Sequence, residues 1–285
     1  MTSVAIVSLF RDRAGMVPRY IRQIESLELD ERPHVVCIEG DSVDNTGELL
    51  DVWSETNDRV HVVHRDLGLP LYGSTVNPER FLILSTVANI GLDYVATNLK
   101  VDFVMFLEMD VHYEPDLVKK LLVARRSLKE ERAIVAPMVW IDLKHKGTVF
   151  YDSWAFRQLP VPLKPLDTRG VFGGKHYPGN ARPWLPKEHF HRRFRGRLEP
   201  VLTGRPTNFP TNNKQWFRDN CPVSPYKIYS AGTVLLADSE LVPAGARFPS
   251  EDVIVGYCNS AKNLGAEIYV DPDIHVQHPL LGALT

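Results

Sequence analysis

Cysteine is scarce in this chain, and long apolar runs are absent from it. The three cysteines among 285 residues, Cys37, Cys221 and Cys258, form no CxxC pair. This argues against a disulfide framework and against a structural zinc site. No apolar stretch approaches the ~20 residues that span a bilayer, and the N-terminus lacks the basic leader of a signal peptide. We therefore expect a cytoplasmic protein without a membrane span.

The net charge of −2 excludes a protein that is basic overall, yet the charge is unevenly distributed. Residues 182–218 carry nine Lys and Arg side chains against two Glu, with Trp and Phe between them. Such a mixture suits phosphate backbones and unstacked bases, so we expect Arg192 and Arg193 to contact an acceptor. A basic lid over a diphosphate, or a solvated loop, is the competing interpretation.

Alternating strand and helix patterns run through residues 1–141 and return after residue 226. This alternation predicts an α/β fold, with a mainly parallel sheet covered by helices on both faces. We expect one domain over residues 1–285, with a loop-rich basic insert at about residues 142–226 that forms the acceptor side or a lid. The predicted strands are 4–8, 34–39, 60–64, 103–107, 133–141, 229–237 and 267–270, and the predicted helices are 16–27, 45–54, 78–99, 115–126 and 250–264.

Two carboxylates follow the most apolar of the predicted strands. The run FVMFL at residues 103–107 is typical of a central strand buried on both faces, and Glu108-Met109-Asp110 comes directly after it. Ligands of open α/β sheets bind beyond the carboxyl ends of the strands. Carboxylate oxygens there suit Mg²⁺ or Mn²⁺ shared with the phosphates of a nucleotide. The alternative is a solvated strand end at Glu108 and a turn cap at Asp110.

Several segments, in this order along the chain, resemble glycosyltransferases of the GT-A type. VVCIEGDSVDNT at residues 35–46 resembles their second-strand signature, and FLEMDV at 106–111 resembles their DxD motif, with Glu108 in place of the first aspartate. FYDSWAFR at 150–157 and YSAGTVLLADSELVPAGARFPSED at 229–252 resemble the fungal mannan-polymerase subunits and the capsule-associated mannosyltransferases. The resemblance implies a Rossmann-like nucleotide-diphospho-sugar transferase fold.

The resemblance also implies a site for a UDP- or GDP-linked sugar and for Mn²⁺ or Mg²⁺. The implied metal ligands are Asp110, Glu108 and His278, with His278 favoured over His275. One of Glu251 and Asp252, with Asp252 preferred, would orient the acceptor hydroxyl or take its proton. A helix start rich in acidic residues is the structural alternative for these two. The implied donor-binding residues are Ser8, Phe10, Arg11, Glu39, Asp44, Asn89, Glu108 and Gly232, and the implied acceptor-binding residues are Asp152 and Trp154.

We therefore expect a metal-dependent glycosyltransferase that transfers a sugar to a hydroxyl acceptor, such as a glycan. A hydroxymethylated base in DNA is an alternative acceptor, because it fits the basic insert. A nucleotidyltransferase is the second enzyme class, but its Gly-rich phosphate loop is replaced by LFRDRAG after the first strand. An inactive nucleotide-sugar-binding protein is the non-enzyme alternative.

Overall fold

A computed structural model describes residues 2–72, 78–143, 147–150, 224–250 and 253–279. Most of the predicted basic insert lies outside the described residues. The same holds for six predicted site residues, whose roles stay predictions: Asp152, Trp154, Arg192, Arg193, Glu251 and Asp252.

The N-terminal half of the chain forms a parallel sheet. Four strands lie in the order β3-β2-β1-β4, and each neighbouring pair is parallel. Their carboxyl ends therefore meet at one side of the sheet, which we call the carboxyl edge. The elements are β1 (Val4–Phe10), α1 (Val17–Glu25), β2 (His34–Glu39), α2 (Thr46–Thr56), β3 (Val60–His64), α3 (Pro78–Asn98) and β4 (Phe103–Leu107).

The C-terminal half extends this sheet with mixed pairing. β9 lies antiparallel between β4 and β6, and β10 runs parallel to β6, so β10 also ends at the carboxyl edge. The described residues form a 10-stranded sheet in the order β3-β2-β1-β4-β9-β6-β10-β5, with β7 beside β6 and β8 beside β10. The elements are β5 (His112–Tyr113), α4 (Leu117–Ser127), β6 (Ala133–Leu143), β7 (Gly147–Phe150), β8 (Tyr226–Ile228), β9 (Val234–Asp238), α5 (Val253–Asn263) and β10 (Glu267–His278).

Helices cover both faces of the sheet, as the α/β pattern predicted. Successive side chains of a strand point to opposite faces, and β1 accordingly divides its apolar residues between two cores. Ala5 and Val7 join a core with α3 and α5, whereas Val4 and Ile6 join a core with α1, α2 and α4. The sheet is therefore buried on both sides, and the carboxyl edge is where polar side chains can meet a ligand. Among the described residues, no helix combines the length and the apolar character needed to cross a membrane.

Strained backbone is concentrated at the carboxyl edge. In the described part of the chain, three non-glycine residues have positive φ: Asp12 at 50° after β1, Asp41 at 56° after β2, and Thr233 at 64° before β9. For a β-branched residue such as Thr233 this conformation is a genuine outlier. Such residues cost about 1–3 kcal/mol each and cluster at functional sites, where the surrounding structure holds them.

Candidate functional site

Three side chains that can bind a metal converge at the carboxyl edge. Glu108 and Asp110 follow β4, and His278 is the last residue of β10. The Nε2 atom of His278 lies 3.8 Å from Oε2 of Glu108 and 3.7 Å from Oδ2 of Asp110. One ligand atom from each of the three lies within 4.8 Å of the others. Two ligands that are each ~2.1 Å from one ion are roughly 3–4 Å apart, so the three atoms can share a small divalent cation.

A hydrogen bond at its other ring nitrogen orients His278. Its Nδ1 lies 2.9 Å from the carbonyl oxygen of Pro279. Because a carbonyl can only accept, Nδ1 donates in this bond, and the ring turns Nε2 toward Glu108 and Asp110. A second-nitrogen hydrogen bond of this kind is how ligating histidines are usually oriented.

His275, the competing candidate, is engaged elsewhere. Its Nδ1 accepts a hydrogen bond of 2.8 Å from Nε1 of Trp140. Among the described residues, Glu108, Asp110 and His278 form the metal-competent cluster, and His275 is not part of it. The preference for His278 therefore agrees with the geometry, although its role as a ligand stays a prediction.

The loop that carries Glu108 and Asp110 is held from two sides. The backbone N–H of Glu108 donates to the carbonyl of Thr233 over 3.0 Å. On the other side, Arg19 of α1 donates through Nη2 to the carbonyl of Met109 over 3.2 Å and through Nη1 to Nε2 of His112 over 2.6 Å. Burial lowers the pKa of Arg19, and the nearby Asp110 carboxylate opposes that shift. No local sequence pattern marked Arg19, because one arginine in an amphipathic helix is unremarkable without its distant partner.

Gly232 lies in a tight turn against this loop. The N–H of Val234 donates to the carbonyl of Gly232 over 2.6 Å, which closes a three-residue turn around Thr233. The strained φ of Thr233 thus directs its carbonyl to Glu108. Gly232 therefore lies beside the loop that carries Glu108 and Asp110, and its contact with a donor stays a prediction.

Two of the predicted donor residues are buried below the edge. Ser8 is fully buried, and its Oγ donates to the carbonyl of Leu107 over 2.7 Å and accepts from the hydroxyl of Tyr20 over 2.7 Å. Phe10 is 4% exposed and packs edge-on against Tyr20. Both residues therefore position the end of β1, and direct contact with a donor stays untested for each.

Arg11 and Asp44 tie together the loops that follow β1, β2 and β3. Arg11 donates to the carbonyl of Leu69 over 2.6 Å and lies 3.6 Å from Asp41. The carboxylate of Asp44 accepts from the backbone N–H groups of Ala14 and Thr46, each over 3.0 Å. Burial alone would raise the pKa of Asp44, but the hydrogen bonds from Thr46 and Ala14 outweigh it and hold that pKa below its ordinary value. Both side chains lie at the edge where a nucleotide is expected.

Glu39 and Asn89 also have defined partners. Glu39 ends β2, is 6% exposed, and accepts a hydrogen bond of 2.8 Å from Nδ1 of His64. Asn89 of α3 donates to the carbonyl of Phe248 and accepts from its N–H, both over 2.9 Å. A donor contact is predicted for each residue, but these partners could not be predicted from the sequence, because Phe248 and His64 lie far from them along the chain.

Comparison with protein-family models and with curated protein sequences gave no match. Comparison with solved structures found chains with a similar fold. Residues 1–349 of S. aureus TarS match with a TM-score of 0.51 and 11% identity, over 98% of this chain and 60% of that one. The mannosyltransferase PcManGT from Pyrobaculum calidifontis, solved with GDP-Man and Mn²⁺, matches with a TM-score of 0.52 and 11% identity, over 98% of this chain and 58% of that one.

The fold is GT-A-like. At 11% identity the likeness establishes the architecture alone. The chain spans about three-fifths of the length of these two solved chains. The finer resemblance to fungal mannan-polymerase subunits stays a prediction.

Proposed function

We propose that this chain is a metal-dependent glycosyltransferase, which transfers a sugar from a UDP- or GDP-linked donor to a hydroxyl group of a glycan. The convergence of Glu108, Asp110 and His278 at the carboxyl edge carries the proposal. Its support is that this edge belongs to a fold similar to that of a mannosyltransferase solved with GDP-Man and Mn²⁺.

The proposed site assigns a task to each group of residues. Glu108, Asp110 and Nε2 of His278 would hold Mn²⁺ or Mg²⁺, which neutralises charge on the departing diphosphate. The nucleoside would lie over the ends of β1 to β3, near Arg11 and Glu39. In the transfer, the bond from the anomeric carbon to the diphosphate breaks and a bond to the acceptor oxygen forms. The acceptor proton would go to Asp252 or Glu251, in line with the sequence prediction.

The decisive experiment measures release of nucleoside diphosphate from a panel of UDP- and GDP-sugars, with and without Mn²⁺. We expect Asp110→Asn to lower the rate by about 10²–10³, the usual scale for loss of one charge-stabilising group. A chelator should abolish release in the wild type. The matched control is Asp102→Asn, which alters an exposed carboxylate at the opposite end of β4 and should leave the rate unchanged.

Three outcomes would contradict the proposal. Release that survives both the chelator and Asp110→Asn would exclude a metal-dependent transfer. Tight metal-dependent nucleotide binding without turnover on any acceptor would indicate an inactive nucleotide-sugar-binding protein. Release of pyrophosphate from nucleoside triphosphates would indicate a nucleotidyltransferase.

The acceptor is tested separately, by comparing glycans with DNA that contains hydroxymethylated bases. We expect sugar transfer to a glycan. Transfer to the DNA, together with a gel shift that weakens steeply as salt rises, would favour the alternative acceptor, because affinity from phosphate contacts falls with salt.

A further inference from the structure

A histidine bridges two carboxylates at the carboxyl edge, away from the metal-competent cluster. His64 ends β3 and is the register partner of Glu39, the last residue of β2. Its Nδ1 lies 2.8 Å from Oε2 of Glu39, and its Nε2 lies 2.8 Å from Oδ1 of Asp51 on α2. A side chain at Gly47 would crowd this contact, since a Cβ there would lie 3.3 Å from Oε2 of Glu39 and 3.4 Å from Cε1 of His64. The three groups are therefore closely fitted.

The hydrogen bonds indicate a protonated ring. Ionised carboxylates only accept hydrogen bonds, so both ring nitrogens of His64 must donate, and a ring that donates twice is an imidazolium. Glu39 and Asp51 are the charged groups that face His64 from the elements packed beside β3. Hydrogen bonds from the ring to Asp51 and then to Glu39 raise the pKa of His64, and burial only partly opposes them.

The charge of His64 matters most for Glu39. The side chain of Glu39 is 7% exposed, whereas those of His64 and Asp51 are 47% and 49% exposed. Burying a carboxylate is costly unless a partner compensates it, and His64 supplies that partner at Oε2 of Glu39. Its second oxygen, Oε1, receives no hydrogen bond from the described residues, so that oxygen can accept one from a ligand at the edge.

We propose that His64 is a positioning residue that holds the carboxylate of Glu39 oriented toward the nucleoside of the donor. The inference rests on the proposed function, because it takes the ligand at this edge to be a nucleotide. The matching groups on that ligand are an N–H of the base or an O–H of the ribose, since Oε1 of Glu39 can only accept. Loss of the proton from His64 leaves at most one of the two hydrogen bonds and no compensating charge.

Titration calorimetry with UDP and with GDP, each with Mg²⁺, tests the proposed role of His64. The titrations are made at a series of pH values on both sides of the ordinary histidine pKa of about 6.5. At low pH, we expect His64→Gln to bind about tenfold more weakly than the wild type, the scale of one charge-assisted hydrogen bond. As the pH rises through the raised pKa of His64, wild-type affinity should fall toward that of the variant. Comparing the two proteins at each pH removes the titration of the ligand itself.

Two further variants separate positioning from general damage. Asp51→Asn removes the largest cause of the raised pKa of His64. In this variant the nucleotide affinity should therefore begin to fall at a lower pH than in the wild type. His61→Gln makes the same change elsewhere in β3, where the ring contacts His34, and should leave nucleotide affinity unchanged. A retained metal-ion affinity in His64→Gln would show that the metal-competent cluster is intact.

The outcomes distinguish this inference from the proposed function. Equal nucleotide affinity of wild type and His64→Gln at every pH overturns the role of His64 and leaves the glycosyltransferase proposal standing. An unshifted pH profile in Asp51→Asn overturns it as well. Failure of the wild type to bind either nucleotide at any pH overturns both proposals.

Discussion

Arg125 and Asp238 form a nearly buried ion pair at the edge of the sheet opposite the site. Nε of Arg125 lies 3.0 Å from both carboxylate oxygens of Asp238, and Nη2 lies 2.7 Å from Oδ2. Asp238 also accepts from the backbone N–H of Ala133 over 2.7 Å, and both charged side chains are 11% exposed. The pair therefore joins α4, β9 and β6 through one carboxylate.

Asp238→Ala should be strongly destabilising, because it leaves the Arg125 charge buried without its partner. We expect the free energy of unfolding in urea to fall by about 3–5 kcal/mol, the usual cost of breaking a buried pair. Glu240→Gln is the control, since it removes the partner of Arg132 from a largely exposed pair, and such pairs contribute at most about 1 kcal/mol. Similar losses in the two variants would contradict this account.

The residues of the site differ in how far the sequence could predict them. The place of Glu108 and Asp110 at the carboxyl edge could be predicted, because they directly follow an apolar run that has to be a buried strand. His64 and Arg19 could not, because their roles depend on contacts that folding creates. The register of β2 against β3 brings His64 to Glu39, and α1 carries Arg19 to a carbonyl 90 residues away along the chain.

At the scale of elements, the amide of Asn89 joins α3 to the segment before α5. It forms two hydrogen bonds with the backbone of Phe248, whose ring stacks on Tyr257 of α5 at a centroid distance of 4.4 Å. Arg247 reinforces the same junction, because its Nη2 lies 2.9 Å from Asp93 of α3. In the sequence, this segment leads directly to Glu251 and Asp252.

Asn89→Asp tests this junction with little change in shape. A carboxylate can accept from the N–H of Phe248 but cannot donate to its carbonyl, so a buried acceptor loses its partner and two oxygens face each other. We expect a loss of about 1–3 kcal/mol in the free energy of unfolding. Asn98→Asp makes the same change at an exposed position of α3 and should cost much less. If a sugar-transfer assay is established, we also expect kcat to fall more than the donor KM rises; the reverse would support the predicted donor contact.

Element boundaries were predictable where an apolar run is bounded by polar residues. β2, β3 and β4 have the predicted limits for this reason. β10 was predicted to end at residue 270 but continues to His278, because Pro272 and Asp273 interrupt its pattern. A register shift between Asp271 and His275 accommodates them. β9 begins later than predicted, at Val234, because the positive φ of Thr233 bends the chain immediately before it.

At the scale of the whole molecule, the histidine pair His34 and His61 and the single histidine His64 should change the free energy of unfolding with pH in opposite directions. His34 accepts from Arg59 at Nε2 over 2.9 Å, so its Nδ1 donates to Nε2 of His61 over 3.0 Å, and both rings are neutral. Burial and then Arg59 lower the pKa of His34, and burial lowers that of His61 despite the nearby Asp58. The pKa of His64, in contrast, is raised by Asp51 and Glu39.

The sign of each contribution follows from which state binds more protons. Below the unfolded histidine pKa of about 6.5, the unfolded chain takes up protons that folded His34 and His61 refuse, so stability falls as the pH decreases. The contribution of His64 is complete below about 6.5 and is lost as the pH rises through its raised folded pKa. The free energy of unfolding in urea should therefore pass through a maximum as the pH is varied. The measurement is made above about pH 5, where most carboxylates remain ionised. His61→Gln should flatten the acidic side and His64→Gln the alkaline side, whereas profiles that keep the wild-type shape in both variants would contradict the assignment of these protons.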